Sequence, residues 1–158
     1  MAKCSLLLMI DLIPPILPCD IKNVDKLLRY TQKLHNFELG QYTHNYLITA
    51  LLTYKNRSAF GVNDYSKTHT ATIQPSPQDY LITIHAEVDA IRNWSARWSF
   101  SKRYHLKLYT LGLTRNGNFC QSSKPCNSCM NLIRSLQISE IIYCCRNQSS
   151  FCIKKELI

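Results

Sequence analysis

The segments His85-Ala86-Glu87 and Pro125-Cys126-Asn127-Ser128-Cys129 offer one imidazole, two thiols and one carboxylate. His85, Cys126 and Cys129 are the nitrogen and sulfur donors that zinc favours, and three protein ligands leave the fourth tetrahedral position to water. Glu87 is surplus to that ligand set. A carboxylate beside an open zinc site can move a water's protons, so the group reads as hydrolytic rather than structural.

The spacing of these residues restricts how they can meet. Cys126 and Cys129 lie one turn apart on one side of a helix. A helix N-terminus favours negative charge and lowers the pKa of thiols placed there. Pro125 suits the edge of that helix, where its missing N–H costs nothing. His85 and Glu87 are two apart and would point in different directions inside a regular helix. They share a site only if His85 lies at or before the helix start and Glu87 in the first turn. Cys120 is a possible fourth ligand that would close the site, but its separation from Pro125 favours an open, water-bearing position.

The elements that must position these groups follow from periodicity. Val24, Leu27, Leu28, Thr31 and Leu34 recur at helical spacing behind Asn23, which predicts a first helix over about Asn23 to Phe37. Tyr46 to Tyr54 is nearly all apolar and suits a strand buried on both faces. Lys55-Asn56-Arg57 reads as a tight turn into a second strand, about Ser58 to Asp64. Tyr65 to Asp79 is polar, carries Pro75 and Pro77, and reads as a long loop placed where a lid or an insertion would sit. A second helix starts at His85, with Val88, Ile91, Trp94 and Trp98 on one broad face. A third strand follows over Leu106 to Thr114, a third helix from Cys126 with Met130, Ile133 and Leu136 inward, and a fourth strand over Glu140 to Cys145. Arg146 to Ser150 is too short for a crossover helix, so the last run, Phe151-Cys152-Ile153, must return antiparallel. The class is α/β, a mixed sheet with helices packed on it.

The chain has 158 residues and a composition of 46% apolar and 18% charged residues, enough for one domain with a real core. An extended arm over 1–22 and a domain over 23–158 are expected. Asp11, Pro14, Pro15 and Pro18 interrupt the apolar run Leu6 to Ile10, which argues against a signal peptide. No stretch reaches membrane-helix length, so no membrane partner is expected. The net charge of +9 favours an anionic partner, such as a nucleotide phosphate or nucleic acid. Two of the eight cysteines form the C-x-x-C. The other six (Cys4, Cys19, Cys120, Cys144, Cys145 and Cys152) read as buried or surface thiols, which points to a reducing, cytoplasmic setting.

Histidine, one residue, then glutamate, followed later by P-C-x-x-C, is the signature of zinc nucleobase deaminases. The chain resembles the cytidine deaminase-like superfamily, and within it the deoxycytidylate and related nucleotide deaminases. His85-Ala86-Glu87-Val88-Asp89-Ala90-Ile91 resembles that family's H-A-E-x-N-A-I, with Asp89 in place of Asn. Gly61-Val62-Asn63 resembles its G-x-N, and the likeness covers roughly Tyr46 to Ile153. It implies a three-layer fold with a central mixed sheet of about five strands flanked by helices. It also implies one Zn2+ held by His85, Cys126 and Cys129, Glu87 as the proton-transferring catalytic group, and substrate contacts from Asn63 and the backbone at Ala86. Hydrolysis of a cytosine nucleotide or nucleoside to its uracil form with release of ammonia is the implied reaction. Asp89 lies beyond the catalytic trio and touches support rather than chemistry. Extra metal sites or triphosphate-sensing elements have no visible counterpart, so allosteric regulation is not carried over.

Trp94 to Tyr104 interleaves aromatic and basic residues, as single-strand binding surfaces do. Trp94 and Trp98 are also four apart, as a core-facing pair would be, and that reading is preferred. An editing deaminase acting on single-stranded nucleic acid is therefore the alternative, and a zinc-stabilised binding protein without activity a third reading. Glu87 argues against the third, since a structural zinc has no use for it. A small-molecule nucleotide or nucleoside is the expected partner, with a homo-oligomer compatible with the family. His69 reads as a loop residue, and His35, His44 and His105 are assigned no role.

Overall fold

A computed structural model describes residues 14–38, 46–64, 84–101, 104–147 and 150–158. The expectations for residues 1–13, for the 65–79 loop and for His44, His69, Lys102 and Arg103 lie outside the described residues. The elements are α1 (Pro18–Glu38), β1 (Tyr46–Tyr54), β2 (Arg57–Val62), α2 (Ala86–Ser95), β3 (Lys107–Thr114), α3 (Asn127–Ser135), β4 (Glu140–Asn147) and β5 (Ser150–Leu157).

The strands form one sheet in the order β2-β1-β3-β4-β5. β1 runs antiparallel to both neighbours, β3 and β4 are parallel, and β4 and β5 are antiparallel as the short connection required. Alternating side chains feed two cores. Leu51, Tyr109, Leu111, Leu113, Ile142 and Cys144 pack with Val24 and Leu27 of α1. Ala50, Leu52, Leu108, Ile141 and Tyr143 pack on the other face with Ala90, Ile91 and Trp94 of α2 and Met130 and Ile133 of α3. β1 is apolar apart from Thr49 and Thr53 because it is a central strand with helices on both sides. The result is a three-layer α/β fold with a mixed five-stranded sheet flanked by three helices.

α1 starts at Pro18, five residues before Asn23, so Pro18 to Lys22 at the end of the expected arm are helical. Pro18 occupies the first helical position, and the Asp20 carboxylate accepts the Leu17 N–H at 3.0 Å, as the third residue of a capping box does. Asn23 instead donates to the Tyr109 hydroxyl at 3.1 Å.

Asp20 also anchors this helix to the sheet. It is fully buried. It accepts from Tyr109 Oη at 2.9 Å, from Lys107 Nζ at 3.1 Å and from Lys155 Nζ at 3.2 Å. Glu140 balances the two ammonium groups at 3.0 and 3.1 Å. Burial pushes the Asp20 carboxyl up, but the hydrogen bonds from the Leu17 amide, Tyr109, Lys107 and Lys155 outweigh it and hold the carboxyl below its usual range. Asp20→Ala leaves Lys155 buried with one anion in place of two, and should cost about 3–5 kcal/mol in denaturant unfolding. Because the folded pKa lies below the unfolded one, the Asp20 contribution is complete above about pH 4 and is lost as pH falls through the folded value. The acid loss of stability should therefore be shallower in Asp20→Ala than in the wild type.

Two further features position the site. Gly61 lets β2 press against α2: a Cβ there would lie 2.1 Å from the Ala86 carbonyl oxygen and 2.2 Å from the Ala90 nitrogen. On the outer edge of β2, Asp89 Oδ2 accepts the Val62 N–H at 3.1 Å and Asn93 Nδ2 donates to the Phe60 carbonyl at 2.8 Å. Asp89 Oδ1 also pairs with Arg92. Asp89 thus fastens the strand that ends at Asn63 to the helix that carries Glu87, and it covers an otherwise open sheet edge.

The cysteines depart from expectation in one place. Cys145 and Cys152, read from the sequence as thiols, are opposite each other in the β4–β5 register and form a disulfide. Their Cα atoms are 5.2 Å apart, within the range such a bond needs. The pairing depends on the register of a hairpin whose strands run to Asn147 and from Ser150, longer than the sequence signals indicated. Cys19, Cys120 and Cys144 are free thiols.

Candidate active site

α2 and α3 point their N-termini at one place. His85 is the cap residue of α2 with extended backbone, φ −77° and ψ 151°, and Glu87 falls in the first turn. This is the arrangement that two residues at that spacing require. Cys126 caps α3 in the same way, with φ −68° and ψ 168°, and Cys129 lies in its first turn. β2 delivers Asn63 from its end, and the paired bridge of Asp64 with Ile84 brings the strand end beside His85.

The three donor atoms fit a metal. His85 Nδ1 lies 3.5 Å from Cys126 Sγ and 3.4 Å from Cys129 Sγ, and the three atoms lie within 4.8 Å of one another. Tetrahedral zinc with its usual bond lengths sets nitrogen and sulfur about 3.5 Å apart, so the cradle is already zinc-sized. Cys120 is not part of this group; its buried sulfur sits under Gly112, and burial pushes its thiol up to about 11. Among the described residues the donor set is therefore His-Cys-Cys, with room for one further ligand.

The two thiols share a hydrogen bond, so their acidities diverge. The Cys129 thiol donating to Cys126 Sγ, with help from His85, holds Cys126 at about 4. The same bond, with burial, pushes Cys129 up. His85 is raised by its hydrogen bond to Cys126. A cation at the centre is what lets both thiols ionise together. Glu87 is 4% exposed, and burial raises its carboxyl. Its carboxylate is hydrogen-bonded with Cys129 but supplies none of the three donor atoms.

A cavity of about 180 Å³ opens on these residues, lined by Ile48, Asn63, His85, Ala86, Glu87, Ser122, Ser123, Lys124 and Cys126. All but Cys129 of the sequence-derived site residues line it, and Cys129 lies behind Cys126. Ala86 is the first residue of α2, so its N–H has no partner within the helix. Asn63 is buried, with Oδ1 accepting the Ile48 N–H at 2.8 Å and Nδ2 donating to the Tyr46 carbonyl at 3.3 Å. Among the described residues, one amide N–H and one lone pair have no partner.

Ser122, Ser123 and Lys124 form a wall that the sequence reading counted only as spacing and charge. Their position directly before Pro125-Cys126 was the available signal. Ser123 is buried: its hydroxyl has one proton to donate, to the Thr110 carbonyl at 2.8 Å or the Cys144 carbonyl at 3.0 Å, and its oxygen accepts the Cys144 N–H. The 121–123 segment is thereby fixed along β4, where Ser122 bridges to Cys145.

The aromatic and basic segment lies elsewhere. Trp94 is fully buried and Trp98 half-buried against it, with Arg57 and Arg97 at 5.8 and 6.0 Å from the Trp98 ring centre. These residues sit at the C-terminal end of α2, about 15 Å from His85 at its N-terminal end. His35 Nε2 is 3.1 Å from the Thr114 and Arg115 carbonyls, a packing contact.

Comparison with known proteins agrees with this geometry. The family described as "Cytidine and deoxycytidylate deaminase zinc-binding region" matches residues 25–145. No curated protein matches the chain. Among solved structures, cytidine deaminase from Burkholderia pseudomallei is similar at 15% identity and TM-score 0.52, covering 82% of this chain and 90% of that one. Cytidine deaminase from Mycobacterium leprae aligns at 16% identity and TM-score 0.47, covering 83% of this chain and 92% of that one.

Proposed function

This chain belongs to the cytidine and deoxycytidylate deaminase zinc-binding family, and we propose that it catalyses hydrolytic deamination of a cytosine nucleotide or nucleoside to the uracil form. The observation that carries this reading is a buried carboxylate, Glu87, placed beside an open His85-Cys126-Cys129 donor set and facing a ring-sized cavity.

When bound, zinc supplies the positive charge that makes water acidic enough to lose a proton near neutral pH. Glu87 takes one proton of the attacking water and passes it to ring N3, then carries the remaining proton, from the new C4 hydroxyl, to the departing amine. A C4–O bond forms, the C4–N bond breaks, and ammonia leaves. The Ala86 N–H and the free polar atoms of Asn63 hold the base and sugar in place. The cavity has room for a single ring, and the wall along one side of it is anchored by Ser123.

A small-molecule substrate is favoured over a nucleic acid strand because Trp94, Arg97, Trp98 and Arg57, among the described residues, cluster at the other end of α2. No helix among the described residues is long and apolar enough to cross a membrane. The cytoplasmic setting proposed here rests on the need for two reduced thiols, and the Cys145–Cys152 bond is the described feature that points to oxidising conditions.

The test is turnover of the zinc-loaded protein on cytidine, deoxycytidine, CMP, dCMP and single-stranded DNA and RNA, followed by uracil formation and ammonia release. Deamination of at least one free nucleoside or nucleotide is expected. Turnover of strands alone would replace this reading with the editing one, and no turnover of any of them would reject it.

A further inference from the structure

The cavity is smaller than the pockets of about 300–1,000 Å³ that enclose whole drug-sized ligands. A base can enter it, but a sugar and whatever the sugar carries must lie across its mouth. The residues at that mouth therefore decide which cytosine compound is accepted.

Among the described lining residues, Lys124 is the only lysine or arginine. It is exposed, like its neighbour Ser122, whose Oγ accepts the Lys124 N–H at 3.2 Å. Both are carried by the segment that Ser123 and β4 hold rigid, so the wall does not have to be built on binding. Lys124 Nζ is paired with Glu156 Oε1 of β5 at 2.7 Å, and Tyr143 Oη donates to the same oxygen at 2.8 Å. The pair is open to water, with side-chain exposures of 45% and 35%. Exposed pairs of this kind hold weakly, so Lys124 is free to exchange its partner for a more highly charged one. Tyr143 continues to satisfy Glu156 when it does. Lys124 thus lines the pocket while its ammonium rests on an exchangeable carboxylate and 5.7 Å from the Tyr143 ring centre.

We infer that Lys124, with the Ser122 hydroxyl beside it, forms a phosphate subsite that makes a cytosine nucleoside monophosphate the preferred substrate. This rests on the deaminase reading and specifies its substrate class. A phosphate monoester carries close to two negative charges at neutral pH and outcompetes a single carboxylate for an ammonium group.

The experiment compares kcat/KM for dCMP and CMP with that for deoxycytidine and cytidine in the wild type, Lys124→Gln and Glu156→Gln, with a single-stranded oligonucleotide as a further arm. Wild type should favour the monophosphate by about tenfold or more. Lys124→Gln should lower that preference about tenfold, chiefly through KM, and Glu156→Gln, which releases the lysine, should raise it. If Lys124 is only a strut to β5, both variants weaken all substrates alike and the preference does not move, which overturns the inference and leaves the deaminase reading standing. A wild type that prefers nucleosides, or deaminates only the oligonucleotide, also overturns it. Failure to deaminate any compound rejects the underlying reading itself.

Discussion

Glu87→Gln is expected to lower turnover by at least about 10²–10⁴-fold, the contribution of a positioned proton-transfer group. Zinc content should stay at one per chain. The amide is nearly isosteric with the carboxylate, so the first turn of α2 and the cap geometry of His85 are kept. None of the three donor atoms belongs to Glu87, so metal binding has no reason to fail. An amide cannot accept and return a proton, so the loss should fall on kcat rather than on KM. Glu87→Ala should lose turnover similarly and also leave a void at a position only 4% exposed. Steady-state kinetics with metal analysis on the same samples would check this. Substantial activity in zinc-replete Glu87→Gln would assign the proton transfer to another group and sink the mechanism.

Gly61→Ala is expected to cost about 3 kcal/mol or more, at the upper end of overpacking effects, and to impair the site in whatever fraction folds. The new methyl would meet the Ala86 carbonyl at 2.1 Å and the Ala90 nitrogen at 2.2 Å, both backbone atoms of α2. A flexible side chain can move aside; a helix backbone cannot do so without moving the whole helix. The shift would separate β2 from α2 and strain the Val62–Asp89 bond that closes them together. Asn63, at the strand end, and His85 with Glu87, at the helix start, would move relative to each other. Denaturant unfolding should show the stability loss, and activity per folded molecule should fall with it. A Gly61→Ala protein of wild-type stability and activity would show that this close approach is not needed.

The placement of His85, Glu87, Cys126 and Cys129 at two helix starts was legible because the relevant constraints are local. Cys126 and Cys129 sit one helical turn apart, and the two-residue spacing of His85 and Glu87 is workable only at a helix start. The antiparallel return of β5 was legible for a similar reason: a five-residue connection leaves no room for a crossover. The start of α1 was missed because Asn23 looked like a cap, whereas its amide is used on Tyr109 and the true cap bond comes from Asp20. Asp20 could not have been singled out, since its partners Lys107, Tyr109 and Lys155 are 87, 89 and 135 residues away.

The sequence by itself determined the chemistry: which atoms can bind zinc, which carboxylate is left over, and that both groups belong at helix N-termini. Those properties follow from side-chain identity and from spacings shorter than one helical turn. The tertiary structure alone decided what surrounds that chemistry. It put the 122–124 segment into the pocket wall, sent Trp98 to the far end of α2, joined Cys145 to Cys152, and brought Gly61 against the helix backbone. Each of these depends on strand register or on packing between layers. Those are set by the sum of many weak contacts across the core, and no short stretch of residues carries them.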